Sequence, residues 1–328
     1  MNSANIQHIF SIATPTEFEL LALKVFGFQF KNNPVYQTFC KHLGKSPSNV
    51  LHVDEIPFLP IEFFKTHKIV SSPKKPDAIF ESSGTTAGNT SKHHVTDIEL
   101  YRQSYNKGFA SFYGPIEEYC VLALLPSYLE REGSSLVYMV NDLVARSKHP
   151  DSGFYLYDLK TLREKLAQLE KQRTKTLLIG VSFALLDLAE QHPMNLKHTI
   201  IMETGGMKGR RKELIREELH FILKNAFGVS KIHSEYGMTE LLSQAYSSGD
   251  GLFKCPPWME VMTRNTEDPL SIQPHGKTGG INVIDLANVY SCSFIATQDL
   301  GKTHKNGTFE ILGRFDHSDI RGCNLMAL

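Results

Sequence analysis

The order of apolar and polar positions predicts that strands and helices alternate along residues 78–270. Apolar runs of strand length occupy 78–80, 120–125, 176–181 and 199–202. Between these runs apolar residues recur at helical spacing, at Leu136, Met139, Val140 and Leu143, at Leu162, Leu166 and Leu169, and at Ile215, Leu219, Ile222 and Ala226, where Gly228 predicts the end of the helix. This alternation predicts βαβ units and a mostly parallel sheet.

The two ends of the chain have a different texture. Residues 16–26 predict a helix, with capping-box spacing between Thr16 and Glu19 and a stop at Gly27. The proline-broken segment 56–65 predicts a packed loop or short turns. Beyond about residue 270, short strand-like runs joined by Gly-containing turns predict a smaller β-rich part. The expected organisation is a helical and loop region at 1–77, an α/β core at 78–270 and a β-rich part with a hinge-like tail at 271–328.

The composition is that of a globular protein. The 328 residues are 41% apolar, and 35 basic side chains balance 35 acidic ones, which argues against a nucleic-acid partner. The longest apolar run, 119–125, is far shorter than the roughly 20 residues that a membrane span needs. Segment 1–19 lacks the features of a signal peptide, so we expect a cytoplasmic protein. The five cysteines form no Cys-x-x-Cys pair, which indicates neither a zinc site nor a disulfide framework.

The polar loop at 81–93 carries the first chemical signal. It holds six hydroxyl side chains, two glycines and Lys92. Glycine lets backbone amides turn inward on an anion, and hydroxyls and an ammonium add donors and charge. Only three residues separate Gly84 from Gly88, so the loop is not a Walker A motif. The residues alone leave two interpretations open, a phosphate-binding loop and a flexible polar surface loop.

Three further segments follow this loop in a fixed order. They are Ser234-Glu-Tyr-Gly-Met-Thr-Glu240, Asp299 within 296–301, and the Gly-Arg motif that opens 313–322. Their kind and order resemble the adenylate-forming superfamily of acyl ligases. Within that superfamily the sequence most resembles the LuxE-type acyl-protein synthetases, also called long-chain-fatty-acid–protein ligases, on the segments 56–60, 64–67, 82–86, 125–130, 203–210 and 320–326.

The resemblance implies an α/β fold, that of the large N-terminal domain of an adenylate-forming enzyme. It would consist of βαβ layers and a β-rich C-terminal subdomain. The sequence ends soon after the hinge motif, so we expect the usual small C-terminal domain and its catalytic lysine to be absent. Lys65 and Lys208 are candidates to replace that lysine. Ala87 departs from the glycine that the superfamily loop usually has at this position.

The resemblance also assigns a nucleotide-binding role to each matched residue. Tyr236 would stack on adenine, Asp299 would accept hydrogen bonds from the ribose hydroxyls, and Arg314 would contact ribose or phosphate. Thr239 would hydrogen-bond a phosphate, and Gly205 would begin a backbone wall beside adenine. The remaining matched positions are Ser82, Ser83, Gly84, Thr85, Thr86 and Lys92 in the phosphate loop, Gly206 in the wall, and Gly237 and Met238 in the motif before Thr239.

The implied cofactor is Mg²⁺, bound together with ATP. Glu240 would be its ligand, since Mg²⁺ prefers hard oxygen donors. The histidines show no metal-ligand spacing. Adjacent residues of a strand point to opposite faces, so His93 and His94 are interpreted as solvated or phosphate-adjacent side chains rather than ligands.

The implied activity is that of an ATP-dependent acid–thiol ligase. A fatty or other apolar carboxylic acid would be activated as acyl-AMP, with Glu240 and Lys92 assisting. Cys323, close to the C-terminus, would take the acyl group as a thioester. A partner protein such as an acyl reductase would then receive it.

Three alternatives stay open. The acyl group would pass to CoA or a carrier thiol in the first, and the chain would be a non-catalytic nucleotide-binding scaffold in the second. In the third, Gly180-Val-Ser-Phe-Ala184 would form the nucleophile elbow of a serine acyl-hydrolase.

Overall fold

The structure is a computed structural model that describes residues 8–82, 90–126, 133–205 and 214–315. Its α-helices are α1 (Pro15–Asn32), α2 (Pro34–His42), α3 (Phe63–Thr66), α4 (Ile98–Tyr113), α5 (Ser135–Ser147), α6 (Leu159–Gln172), α7 (Ser182–Gln191) and α8 (Arg216–Phe227). Its strands are β1 (Leu59–Pro60), β2 (Ala78–Glu81), β3 (Lys92–Val95), β4 (Cys120–Leu124), β5 (Gly153–Phe154), β6 (Thr176–Val181), β7 (Thr199–Thr204), β8 (His233–Tyr236), β9 (Ala245–Ser247), β10 (Phe253–Lys254), β11 (Met259–Arg264), β12 (Thr278–Asp285), β13 (Phe294–Thr303) and β14 (Thr308–Arg314).

The fold is built on one twelve-stranded sheet. Its order is β11-β12-β13-β14-β10-β9-β8-β7-β6-β4-β5, and β1 pairs beside β13. Strands β4 to β8 are parallel to one another, which confirms the parallel sheet predicted from the alternation of strands and helices. On the other side of β8, from β9 through β10, β14, β13 and β12 to β11, each strand is antiparallel to its neighbour.

Helices cover both faces of the parallel strands. On β8, the ring of His233 lies 3.2 Å from the Tyr113 hydroxyl of α4, whereas Ser234 faces His220 of α8 at 3.5 Å. Successive residues of a strand point to opposite faces, so α4 and α8 lie on opposite sides of the sheet. Every residue of β4 and β6 is buried, as expected of strands covered on both faces.

A separate two-stranded hairpin carries the polar loop. Strands β2 and β3 pair in antiparallel register, with Phe80 opposite His93 and Glu81 opposite Lys92. The segment 83–89 that joins them lies outside the described residues. The predicted strand at 78–80 is confirmed.

The predicted start and stop of the first helix are wrong, while the predicted stop of α8 is confirmed. The capping box of α1 joins Thr14 to Glu17, two residues earlier than predicted, because Pro15 fits the first helical turn. The helix runs through Gly27 to Asn32. Gly228 does end α8, with a left-handed φ of 63°.

The N-terminal helices pack against the turn that precedes β13. The Gln29 amide of α1 donates to the carbonyl oxygens of Asn288 and Val289, and its oxygen accepts from Ser293 N. Asn33 donates to the Ser291 carbonyl at 3.1 Å. Segment 286–293 is thereby held in place by residues near the start of the chain. Among the described helices, none is both long enough and apolar enough to cross a bilayer.

Candidate active site

The predicted site residues gather where the parallel strands end. Strand β7 ends at Thr204 and β8 at Tyr236, and the carboxyl ends of parallel strands form the ligand-binding edge of open α/β sheets. Gly205 follows β7 with φ +67°, a left-handed conformation suited to glycine. Its carbonyl accepts a hydrogen bond from the Ser182 hydroxyl at 2.7 Å.

Three of the predicted nucleotide-binding residues are in direct contact, and we call them the Asp299 cluster (Tyr236, Asp299 and Arg314). The Tyr236 hydroxyl donates to Asp299 Oδ2 at 2.8 Å. Arg314 Nε donates to Asp299 Oδ1 at 3.0 Å, because β13 and β14 place these two residues opposite each other. Burial, together with the Asp299 charge, raises the pKa of Tyr236 well above its usual range, so Tyr236 acts here as a hydrogen-bond donor.

A buried arginine that was not predicted from the sequence holds the strands beside this cluster in place. Arg264 Nη1 donates to the Ile281 carbonyl at 2.7 Å, and Nη2 donates to the Thr297 carbonyl at 2.6 Å. Gly280 leaves room for the guanidinium, since a Cβ there would lie 2.5 Å from Arg264 Cζ. Arg264 therefore fixes the strand that carries Asp299. A lone arginine in a strand gives no signal of such a role in the sequence.

Glu240 lies buried beside several polar and charged side chains. Burial raises the pKa of its carboxyl, while the Ser91 hydroxyl and the positive charges of Arg314 and Lys65 act in the opposite direction. A carboxylate with little access to water fits a site for a divalent cation, which would compensate its charge. The charges of Arg314, a member of the Asp299 cluster, and of the candidate Lys65 thus both act on the Glu240 carboxyl.

In the described ranges, no three Asp, Glu, His or Cys side chains lie close enough together to hold a metal ion.

His93 and Asn288 hold the turn that carries Thr239 and Glu240. His93 is fully buried, so its interpretation as a solvated side chain is wrong. Its Nδ1 lies 2.8 Å from the Thr239 carbonyl oxygen, and its Nε2 lies 3.0 Å from Asn288 Oδ1. Asn288 Nδ2 donates to the Glu240 carbonyl at 2.8 Å. Burial lowers the pKa of His93 to about 4, so the ring is neutral near pH 7.

The base of the polar loop is a short backbone ladder. Ser82 N donates to the Ser91 carbonyl, and Ser91 N donates to the Ser82 hydroxyl at 3.0 Å. Lys92 is half-exposed and lies 3.3 Å from Glu81. Its role as a phosphate ligand stays a prediction.

The other predicted residues divide into two groups. Gly237, Met238 and Thr239 are partly buried in the turn after β8. The second group lies outside the described residues and comprises Ser83, Gly84, Thr85, Thr86, Gly206, Lys208 and Cys323.

A second buried carboxyl adjoins the site. Glu235, the residue before Tyr236, accepts a hydrogen bond from the Thr204 hydroxyl. Burial raises its pKa to about 7. Its other oxygen lies beside Gly237, 2.5 Å from where a Cβ would stand. Nothing in the sequence distinguishes Glu235 from the other residues of its motif.

The serine of the alternative nucleophile elbow does sit at a strand-to-helix junction. Strand β6 ends at Val181 and α7 begins at Ser182. The Ser182 hydroxyl is buried and donates to a carbonyl. Glu203 Oε2 lies farther from this hydroxyl, at 3.5 Å. Because the shortest hydrogen bond of the buried hydroxyl goes to a carbonyl, which is not a base, the geometry does not favour a hydrolase.

Comparison with known proteins identifies the fold as that of the adenylate-forming ligases. The chain superposes on ATP-bound MatB from Rhodopseudomonas palustris with a TM-score of 0.56 and 20% identity, over 75% of this chain and 49% of that one. It superposes on 2-hydroxyisobutyryl-CoA ligase in complex with 2-HIB-AMP with a TM-score of 0.62 and 13% identity, over 94% and 70%. It also superposes on O-succinylbenzoate coenzyme A synthetase (MenE) from Bacillus subtilis in complex with ATP and magnesium. The TM-score is 0.50 and the identity 18%, over 72% of this chain and 49% of that one.

The α/β fold with its large mixed sheet is therefore the one that the sequence resemblance implied. The chain spans about half the length of MatB. No family model matches the sequence, and no curated protein matches it either.

Proposed function

We propose that the protein is an ATP-dependent acid–thiol ligase that activates a fatty or other apolar carboxylic acid as its adenylate. The observation that carries the proposal is the Asp299 cluster beside Glu240, at the carboxyl edge of the parallel strands. The fold of the adenylate-forming ligases supports it, as do the ATP and magnesium named for MenE.

In the first step a carboxylate oxygen of the acid attacks the α-phosphorus of ATP. A P–O bond forms, the bond between the α- and β-phosphates breaks, and pyrophosphate leaves. The protein contributes position and charge neutralisation. Thr239 and the hydroxyls of 82–86 would donate to the phosphates, and Lys92 would supply a point charge.

The Asp299 cluster would bind the nucleoside. Asp299 already accepts one hydrogen bond on each oxygen, and an ionised carboxylate has about four acceptor sites. It therefore retains capacity for the two ribose hydroxyls. Tyr236, with its hydroxyl tied to Asp299, would present its ring to adenine beside Gly205. Arg314, whose side chain is 77% exposed, would reach ribose or phosphate.

Glu240 would hold Mg²⁺, which when bound neutralises the phosphate charge. Lys65 is the described candidate for the lysine that assists adenylation, because its charge already acts on the Glu240 carboxyl.

In the second step the thiolate of Cys323 attacks the acyl carbon. A C–S bond forms, the C–O bond to AMP breaks, AMP leaves, and the thiol proton passes to solvent. The thioester would then serve a partner protein of the acyl reductase class. This step rests on the LuxE-type resemblance of 320–326.

Labelled fatty acids with ATP test both steps. We expect acid-dependent ATP–pyrophosphate exchange in the wild type and in Cys323→Ser, and covalent label in the wild type and in the control Cys255→Ser only. Label retained by Cys323→Ser would exclude Cys323 as the acceptor. Absence of exchange with every fatty acid would contradict adenylation and favour a nucleotide-binding scaffold.

Coenzyme A is the second candidate acceptor, because the names of two structural neighbours include it. In that case Cys323→Ser would consume CoA as fast as the wild type does.

A further inference from the structure

The ring of His93 joins two segments that are 146 residues apart in the sequence. It sits on β3, directly after the strand residue Lys92 and the polar loop. It contacts the turn after β8, which carries Thr239 and Glu240. The side chain is fully buried.

The contacts of Asn288 determine which atoms face the ring. Asn288 Nδ2 lies 2.8 Å from the Glu240 carbonyl and 2.9 Å from the Cys292 carbonyl. Carbonyl oxygens only accept, so this end of the amide is the NH₂ group. The other end, Oδ1, is the acceptor that faces His93 Nε2 at 3.0 Å.

Both ring nitrogens of His93 therefore face acceptors, Thr239 O and Asn288 Oδ1. A neutral imidazole carries a single N–H, and burial keeps this ring neutral near pH 7, with a pKa of about 4. One of the two contacts is consequently a full hydrogen bond at any moment, and the ring's tautomer decides which. The contact to Thr239 O is the one that reaches the proposed phosphate and metal residues directly.

We propose that His93 is a positioning residue that holds the Thr239–Glu240 turn in the orientation needed for Mg²⁺ and ATP. With Asn288 it fixes two successive carbonyls, Thr239 O and Glu240 O, so that the peptide between them has one orientation. Through His93, strand β3, which follows the phosphate loop, then sets the orientation of the Thr239 and Glu240 side chains. The proposal rests on the proposed function, since it assumes that this turn binds Mg²⁺ with ATP.

Two substitutions separate the two ring contacts. The amide nitrogen of asparagine is three bonds from Cα, as His Nδ1 is, and that of glutamine is four bonds away, as His Nε2 is. His93→Asn therefore keeps a donor for Thr239 O, and His93→Gln keeps one for Asn288 Oδ1. His93→Phe keeps the ring and loses both. His94→Phe, on the opposite face of β3, is the matched control.

Calorimetric binding of ATP, with Mg²⁺ and with EDTA, gives a readout that is independent of turnover. We expect Mg²⁺ to tighten ATP binding in the wild type, in His94→Phe and largely in His93→Asn. In His93→Phe and His93→Gln the gain from Mg²⁺ should fall about tenfold or more, since loss of a residue that orients a metal ligand typically costs about 10- to 100-fold in metal affinity. Binding in EDTA should change much less.

Thermal unfolding distinguishes positioning from a purely structural role. If His93 were structural only, the loss of the Mg²⁺ effect would follow the fall in Tm across the variants and would not depend on whether a variant keeps a donor for Thr239 O. That result would overturn the proposal. An unchanged Mg²⁺ effect in folded His93→Phe would overturn it as well. If His93→Phe does not fold, the contrast between His93→Asn, which keeps the donor for Thr239 O, and His93→Gln, which does not, gives the same comparison.

Pyrophosphate exchange on the same samples separates this proposal from the proposed function. Magnesium-dependent ATP binding that needs the His93 donor, without exchange for any acid, would support His93 and contradict acyl activation. Exchange in the wild type with an unchanged Mg²⁺ effect in His93→Phe would contradict His93 alone. A wild type that does not bind ATP would overturn both.

Discussion

At the scale of single residues, the site is defined by buried carboxyls that differ in their partners. Asp299 accepts from Tyr236 and Arg314, whereas Glu240 and Glu235 show no ion pair in the described chain. Burial raises the pKa values of Glu240 and Glu235. A buried carboxyl that has hydroxyl partners but no ion pair reduces the stability of the fold when it is ionised.

Glu240→Gln should therefore stabilise the fold and abolish the binding of Mg²⁺ with ATP. The substitution removes a buried charge but keeps the shape, so we expect the free energy of unfolding at pH 8 to rise by about 1 kcal/mol. Magnesium-dependent ATP binding should be lost. Urea unfolding and calorimetry measure the two effects. A variant that is less stable than the wild type, yet still binds ATP more tightly with Mg²⁺, would show that Glu240 is not the magnesium ligand.

Glu235 should make stability depend on pH. Its pKa is about 7 in the fold against a usual 4.5, so between these values the folded chain keeps a proton that the unfolded chain loses. The contribution of Glu235 to stability is fully present below about pH 4.5 and is lost as the pH rises through 7, by about 3 kcal/mol in total.

Urea unfolding at pH 5 and pH 8 checks this dependence. The fall in stability between the two pH values should be smaller in Glu235→Gln than in the wild type, and should be unchanged in the control Glu164→Gln, which changes an exposed carboxyl. An equal fall in the wild type and in Glu235→Gln would mean that Glu235 titrates normally in the fold.

At the scale of secondary structure, the sequence pattern predicted those elements that depend mainly on residues close together in the chain. The strand at 176–181 and the end of α8 at Gly228 follow from an apolar run and from a left-handed glycine. The first helix was misjudged at Gly27, because a glycine inside a helix is tolerated when the helix has tertiary contacts, and α1 buries Val25, Phe26 and Gln29 on either side of it.

Gly27→Ala should consequently stabilise the protein. A Cβ at Gly27 would meet no atom within 4 Å, and alanine is favoured over glycine inside a helix by about 1 kcal/mol. Gly228→Ala should do the opposite, because its φ is +63° and its Cβ would lie 2.9 Å from Asn195 Oδ1. Thermal unfolding of the two variants measures this contrast. A lower Tm for Gly27→Ala would contradict it.

At the scale of the whole molecule, the site depends on contacts that no local pattern predicts. Motif order placed Tyr236, Asp299 and Arg314 in one site, but only the pairing of β13 with β14 shows how they meet. Arg264 was missed, and His93 was assigned to solvent or to the neighbourhood of a phosphate, because the partners of both side chains lie far away in the sequence. Glu240 was assigned from its motif, yet its burial and its anchoring through Asn288 come from the tertiary fold.

The anchoring of Asn288 has a consequence for how the chain is made. The Glu240 carbonyl is held by Asn288, which is itself held by Gln29 from a helix formed at the start of synthesis. A growing chain that has just exposed its Thr239–Glu240 turn to solvent still lacks Asn288 and Ser293. Contacts across such long sequence separations slow folding. The Glu240 carbonyl therefore gains its Asn288 partner only after 48 further residues have been made, and Gln29 of α1 meets the Val289 carbonyl only 260 positions after its own synthesis.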